Sequence, residues 1–165
     1  MGGKSGARDL GGCDLRAVNL AAALLNEAVL RAADLSRSVL AKADLSGADM
    51  REANLAEADL RGARLERATL NGANLAGADL SPLRGVGSGG TALPSVLRYA
   101  RLRGADLAGA NLAEAQLEGV DFEAADLRGA DLRGAKVGNA RFLDAQLDGA
   151  QLDGANMNRA HRPAG

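Results

Sequence analysis

Apolar residues recur at every fifth position from Leu10 to Leu80, and again from Leu102 to Met157. The two runs hold 15 and 12 units. Leu is the centre of 22 of the 27, with Met50, Phe122, Val137, Phe142 and Met157 in the others. Two residues before the centre, Ala also stands in 22 units; the departures are Arg8, Cys13, Val18, Ser38 and Val120. The residue between is Asp or Asn in 16 units, and the two after the centre are mostly small or charged. The consensus is A-(D/N)-L-x-x, as in Ala43-Asp44-Leu45-Ser46-Gly47.

A period of five fits neither regular element. On a helix turning about 100° per residue, successive centres rotate by roughly 140° and share no face. On a flat strand, an odd period sends alternate centres to opposite sides. The consistent solution turns a corner once per unit, so that every Leu and every Ala points into one interior. We name the five positions inner, outward, centre, first corner and second corner. Gly fills the second corner in 12 of the 27 units, as a bend with unusual φ requires.

These 27 units resemble those of the pentapeptide repeat family. The resemblance implies an all-β fold, a right-handed quadrilateral parallel β-helix in which four pentapeptides make one square coil. Residues 20 apart are then stacking neighbours. Phe122 and Phe142 are expected to stack in the core. Arg37 is expected to pair with Glu57, Arg103 with Glu123, Arg128 with Asp148 and Arg133 with Asp153, while Arg101, Asp121 and Arg141 form a ladder. Such exposed pairs contribute about 0–1 kcal/mol each, against roughly 1.5–3 kcal/mol for each buried Leu.

The repeat fails between Ser81 and Tyr99, where two of the chain's three prolines and a Gly-Ser-Gly-Gly run read as loop. Treating Ser95–Tyr99 as an irregular unit centred on Leu97 leaves 12 excess residues and brings the total to 28 units, about seven coils. At about 4.8 Å per coil the rod is about 34 Å long. The expected organisation is an N-terminal tail over 1–7, one β-helix domain over 8–160 with a projecting loop at about 81–99, and a tail over 161–165. The loop admits two uses, a tolerated surface insertion or a recognition element on a rigid scaffold. Leu83, Arg84, Val86, Leu93 and Tyr99 are the candidates for partner contact.

Composition narrows the chemistry. Twenty basic residues against 21 acidic ones leave a net charge of −1, which supplies no broad field for nucleic acid or an anionic membrane. One Cys excludes an internal disulfide and suits a reducing, cytoplasmic setting. No apolar run approaches a membrane span. With one His, one Cys and one Tyr, no catalytic set can be assembled, so an enzyme is not expected. Gly3-Lys4-Ser5 lacks the rest of a phosphate-binding loop, and Met1-Gly2 lacks the hydroxyl residue a myristoylation signal carries at position six. Cys13 reads as a small inner residue, and His161 has no metal-ligand partner at suitable spacing. The eleven outward Asp residues are expected to hydrogen-bond backbone at the bends rather than hold Ca²⁺, and no cofactor or metal is implied.

What remains is function by surface. Some members of the family, the Qnr resistance proteins among them, engage DNA gyrase, several through projecting loops. The resemblance therefore implies protein binding, with a type II topoisomerase as the sharpest target and a protective or inhibitory effect. The alternative is a rigid scaffold or interaction module for an unrelated partner. Wholesale imitation of duplex DNA is disfavoured, because the outward and corner positions of the four sides sum to charges of only −1, −3, −2 and +1 for those centred on Leu10, Leu15, Leu20 and Leu25. Leu24, Val29 and Val39 are apolar where polar residues are usual. So is Leu143, which with Phe142 marks a candidate homodimer interface at the C-terminal coils; a monomer mass independent of concentration would exclude it.

Overall fold

The computed structural model describes residues 8–85 and 90–161. Each pentad crosses one side of a square coil and turns a corner, and each side is only one bridging residue wide. The outward residues stack in four parallel columns. One begins Asp9↔Val29↔Asp49, and the others begin at Asp14, Asn19 and Leu24. We call the four sides by these first residues. The fold is the right-handed quadrilateral parallel β-helix that the resemblance implies.

The backbone of a pentad is almost fully paired. The centre N–H donates to the outward carbonyl of the next coil (Leu30 N to Asp49 O, 2.8 Å), and the second-corner N–H to that coil's first-corner carbonyl (Ala32 N to Arg51 O, 2.9 Å). The outward N–H reaches back to the inner carbonyl of the preceding coil (Asp49 N to Ala28 O, 2.9 Å). The inner N–H closes a β-turn across the corner onto the centre carbonyl of the preceding side (Ala33 N to Leu30 O, 3.1 Å). One donor per pentad is left over, the first-corner N–H, and buried or half-buried amides need partners. The outward Asp or Asn supplies it: Ser36 N donates to Asp34 Oδ1 at 3.0 Å, and all sixteen outward Asp and Asn residues accept in this way. This is why the outward position prefers a short side chain ending in a carbonyl or carboxylate.

The second corner lies in the left-handed region at 27 positions, with φ between 52° and 71°. Twelve are Gly and fifteen are not, so the corner imposes its φ even on Glu, Arg and Tyr. The turn is of the type that demands positive φ at its third residue. Inside, the inner and centre columns form one core, fully buried from Leu30 to Phe142 apart from the loop. Phe122 and Phe142 stack there, centroids 5.1 Å apart and planes 16° from parallel.

The interruption keeps register. Before it bridges rise by 20 residues; across it Arg64 pairs with Val96, Thr69 with Arg101, Asn74 with Asp106 and Asp79 with Asn111, a step of 32. Twelve residues are looped out and Leu97 takes its place as a buried centre. At the far end, His161 forms the bridge that follows Arg141, so it belongs to the ladder rather than to a tail.

Candidate interaction surface

The loop leaves the rod at the corner between the Asn19 and Leu24 sides. That corner's second residue is Pro82, whose ring fixes φ near −65° and which has no N–H to give the next coil. It cannot make the left-handed turn that the equivalent residue makes in every other described unit from Leu10 to Met157, and the chain departs there. It returns through a two-residue antiparallel pairing, Leu83 N to Leu93 O at 2.8 Å and Leu93 N to Leu83 O at 2.9 Å.

The base of this hairpin rests on the rod. Gly62 lies beneath it, and a Cβ there would stand 3.0 Å from Leu93 Cδ2 and 3.2 Å from Leu83 Cβ. Ser95 repairs the ladder at the same place. Its Oγ accepts from Gly62 N and donates to Leu60 O, each at 3.0 Å, which replaces the backbone acceptor a regular coil would offer Gly62. Arg84 reaches Glu114 at 2.9 Å and fastens the outgoing strand to a later coil. Of the candidates on the loop, Leu83 is half-buried against the rod and Leu93 is 44% exposed, while Val86 falls outside the described residues.

Tyr99 is placed on the rod itself. It is the second corner of the unit centred on Leu97, with φ of 60° and 61% exposure. A ring at positive φ is unusual, and it is accommodated because Gly119 lies beneath it: a Cβ there would come within 2.7 Å of the ring. Leu93 and Tyr99 thus stand at the two edges of the Leu24 side, each over a shallow depression; Arg64 and Arg98 line both, and Arg67 stands at the edge with Tyr99.

The charge pattern departs from the expected one. Arg37–Glu57 (2.9 Å) and Arg103–Glu123 pair between coils. Arg128 and Arg133 instead hold Asp126 and Asp131 of their own pentads, at 2.5 and 2.6 Å. The cause is local. The outward Asp bends over the first corner to accept its amide, and an Arg at that corner meets the carboxylate before it reaches the next coil. In the ladder around Asp121, Arg141 approaches at 3.7 Å and Arg103, rather than Arg101, at 3.9 Å. Arg16 holds the Asp14 carboxyl down to about 2, and Arg51, with Arg31, holds that of Asp49 well below the usual range.

The remaining candidates separate by burial. Phe142 is fully buried, so an interface at the C-terminal coils would meet Leu143, 41% exposed, and not the ring. Val39 and Leu24 are exposed, at 36% and 66%. Cys13 is half-buried at an inner position. Among the described residues, no group of acidic, His and Cys side chains is arranged to hold a metal ion, and no helix is long and apolar enough to cross a membrane. The residues the sequence did not single out are Pro82, Gly62 and Ser95. Pro82 was legible as a proline at a position needing positive φ; Ser95 is one of only a few inner positions without Ala.

A family profile described as pentapeptide repeats matches in eight copies, over residues 13–51, 48–81, 95–123 and 125–161. The chain belongs to the pentapeptide repeat family. The profile's gap at 82–94 coincides with the loop. Among solved pentapeptide repeat structures, HetL of the cyanobacterium Nostoc sp. strain PCC 7120, involved in heterocyst differentiation regulation, is 33% identical. The match covers 93% of this chain and 76% of that one, with a TM-score of 0.50. A trypsin-treated form of QnrB1, a plasmid-mediated fluoroquinolone resistance protein, is 17% identical over 85% of this chain and 70% of that one, with a TM-score of 0.55. At that identity the two share a fold. No curated protein matches the chain.

Proposed function

We propose that this pentapeptide repeat protein is a non-catalytic, cytoplasmic rod that acts by binding another protein, and that a type II topoisomerase is the partner to test first. The observation that carries the protein-binding reading is the loop: a hairpin built onto a rigid corner, leaving Leu93 exposed at the edge of the Leu24 side. Rigid scaffolds that present loops are a common way to build recognition surfaces, because the ordering cost is already met. The topoisomerase is suggested by the family resemblance and by the fold shared with a fluoroquinolone resistance protein.

The test is a DNA gyrase supercoiling assay, with and without a quinolone, using the full chain and a variant lacking residues 83–94. Inhibition or protection that disappears with the loop supports the reading and assigns the loop as its determinant. An effect that persists moves the site to the sides of the rod. No effect at about micromolar concentration removes gyrase as the partner, and leaves the interaction module serving a different protein.

A further inference from the structure

The Leu24 side differs from the other three in leaving the first-corner amides of four consecutive coils without an acceptor among the described residues. On consecutive coils its outward residues are Arg64, Val96, Gln116 and Lys136, none of them Asp or Asn. The first-corner amides that follow, those of Glu66, Arg98, Glu118 and Gly138, have no acceptor among the described residues. On the Asp14 side, six coils in succession from Asp14 to Asp126 carry an acceptor for this amide. The Leu24 side therefore presents a line of four free N–H donors, one per coil. It is also the only side whose summed charge at the outward and corner positions is positive, +1 against −1, −2 and −3. Arg67 and Lys136 form no ion pair with any described residue, while Arg64 and Arg98 are engaged by Glu66 at 2.9 Å and Glu118 at 3.5 Å.

We infer that the Leu24 side is the docking surface for an extended, acidic segment of a partner protein, with Leu93 and Tyr99 at its two edges taking apolar contacts. Donors without acceptors and unpaired cations call for a ligand rich in acceptors and negative charge. The acids interleaved along this side, Glu66 and Glu118, disfavour a continuous phosphate backbone, and the three acidic sides repel a polyanion as wide as duplex DNA. Separate carboxylates on a flexible segment can settle beside the cations and avoid the acids. An exposed tyrosine and an arginine side by side are the residue types that dominate protein interfaces. The inference rests on the protein-binding reading but not on the identity of the topoisomerase.

Tyr99 is the only tyrosine and the chain has no tryptophan, so intrinsic tyrosine fluorescence reports this side alone. The experiment titrates the full chain with poly-L-glutamate, poly-L-lysine and a short DNA duplex, in low and moderate salt. A saturable fluorescence change with poly-L-glutamate is expected, weakened by salt and at least about tenfold weaker in Arg67→Ala/Lys136→Ala. Arg128→Ala, on the Asp14 side, is expected to bind as the parent does. The inference is overturned by the absence of a saturable change up to about 1 mM peptide, by an equal response to poly-L-lysine, by tighter binding of the duplex, or by equal weakening in Arg128→Ala. Thermal melts of both variants verify that each is folded. A negative gyrase assay leaves the fluorescence result intact, so failure of the partner and failure of the surface are distinguishable.

Discussion

The Asp14 side and the Leu24 side cover the same core with the same backbone geometry, and they use their outward positions differently. From Asp14 to Asp126 the first closes every first-corner amide with its own Asp or Asn and carries a charge of −3. The second holds one such acceptor among its first six outward residues, Asp44, bears +1, and borders the loop that breaks the coil. A solenoid's core fixes inner and centre residues on all sides alike, so a side can depart from the pattern only at the outward and corner positions. Where it departs consistently over four coils, the cost falls on the rod's own hydrogen bonding, and a use outside the rod is the economical reason for it.

The sharpest way to break this comparison is to remove the interruption. Deleting residues 83–94 together with Pro82→Gly joins the corner directly to Ser95, Val96 and Leu97, and restores the regular spacing of five from Leu80 to the next centre. A glycine in place of Pro82 can adopt the left-handed corner and donate its N–H, and Gly62 regains the Ser81 carbonyl that stands where its acceptor lies in other coils. The gain from a shorter closure and restored ladder bonds, less the lost packing of Leu83, is expected to be about 1–2 kcal/mol in denaturant unfolding. The same deletion with Pro82 retained is expected to gain less, because the ring still forbids the corner. A deletion variant less stable than the parent would show that the docked hairpin stabilises the rod, and the loop would then be a structural clamp.

How far this contrast could be read in advance depends on which residues carry it. The core was legible throughout, because a Leu every five residues has only one self-consistent packing, and even the 12-residue excess and the centre at Leu97 followed from counting. The stacking of Phe122 on Phe142 followed from the coil of four pentads that the family resemblance implies. The charge partners of Arg128 and Arg133 did not. They are decided by an Asp bending over its own corner, a contact two residues away that competes with the neighbour 20 away. The docking of Leu83 over Gly62 was equally hidden, since it joins residues whose proximity depends on where the loop folds. The line of free amides on the Leu24 side was present in the sequence as Arg64, Val96, Gln116 and Lys136. It has meaning only once each outward residue is known to serve the amide two positions later.

A second test acts on a regular unit of the Asn19 side. Asp59 accepts the Arg61 amide at 3.1 Å and pairs with the Arg61 guanidinium at 2.8 Å. Asp59→Ala removes the acceptor and leaves the amide unpaired, at an expected cost of about 1 kcal/mol. Asp59→Asn keeps the carbonyl and is expected to stay within about 0.5 kcal/mol of the parent at neutral pH, losing only a partly exposed pair. Their pH profiles separate the two roles. The Arg61 guanidinium, hydrogen-bonded to the Asp59 carboxyl, holds it below the usual carboxylate range. Its contribution is therefore fully present above the unfolded value of about 3.9, and is lost as pH falls through the lower folded value. Melting temperature followed from neutral pH into acid should fall less steeply below about pH 4 in Asp59→Asn than in the parent. Identical acid slopes would place the acid sensitivity on the other carboxylates held down by arginines, Asp49 and Asp131 among them.

The smallest effect bears most directly on why the Leu24 side differs. Lys136 precedes the Gly138 amide by two residues, the spacing at which Asp and Asn accept on the other sides. Lys136→Asn supplies the missing acceptor, and is expected to stabilise the rod by about 0.5 kcal/mol in denaturant unfolding. The same change removes an unpaired cation and occupies one of the four free donors, so acidic-peptide binding read by Tyr99 fluorescence should weaken. Stability and binding are predicted to move in opposite directions through one side chain, as expected where a surface is kept short of its stability optimum for use. A variant that gains stability and binds as before would mean that the missing acceptors are mere drift from the repeat, and the contrast between the two sides would lose its functional content.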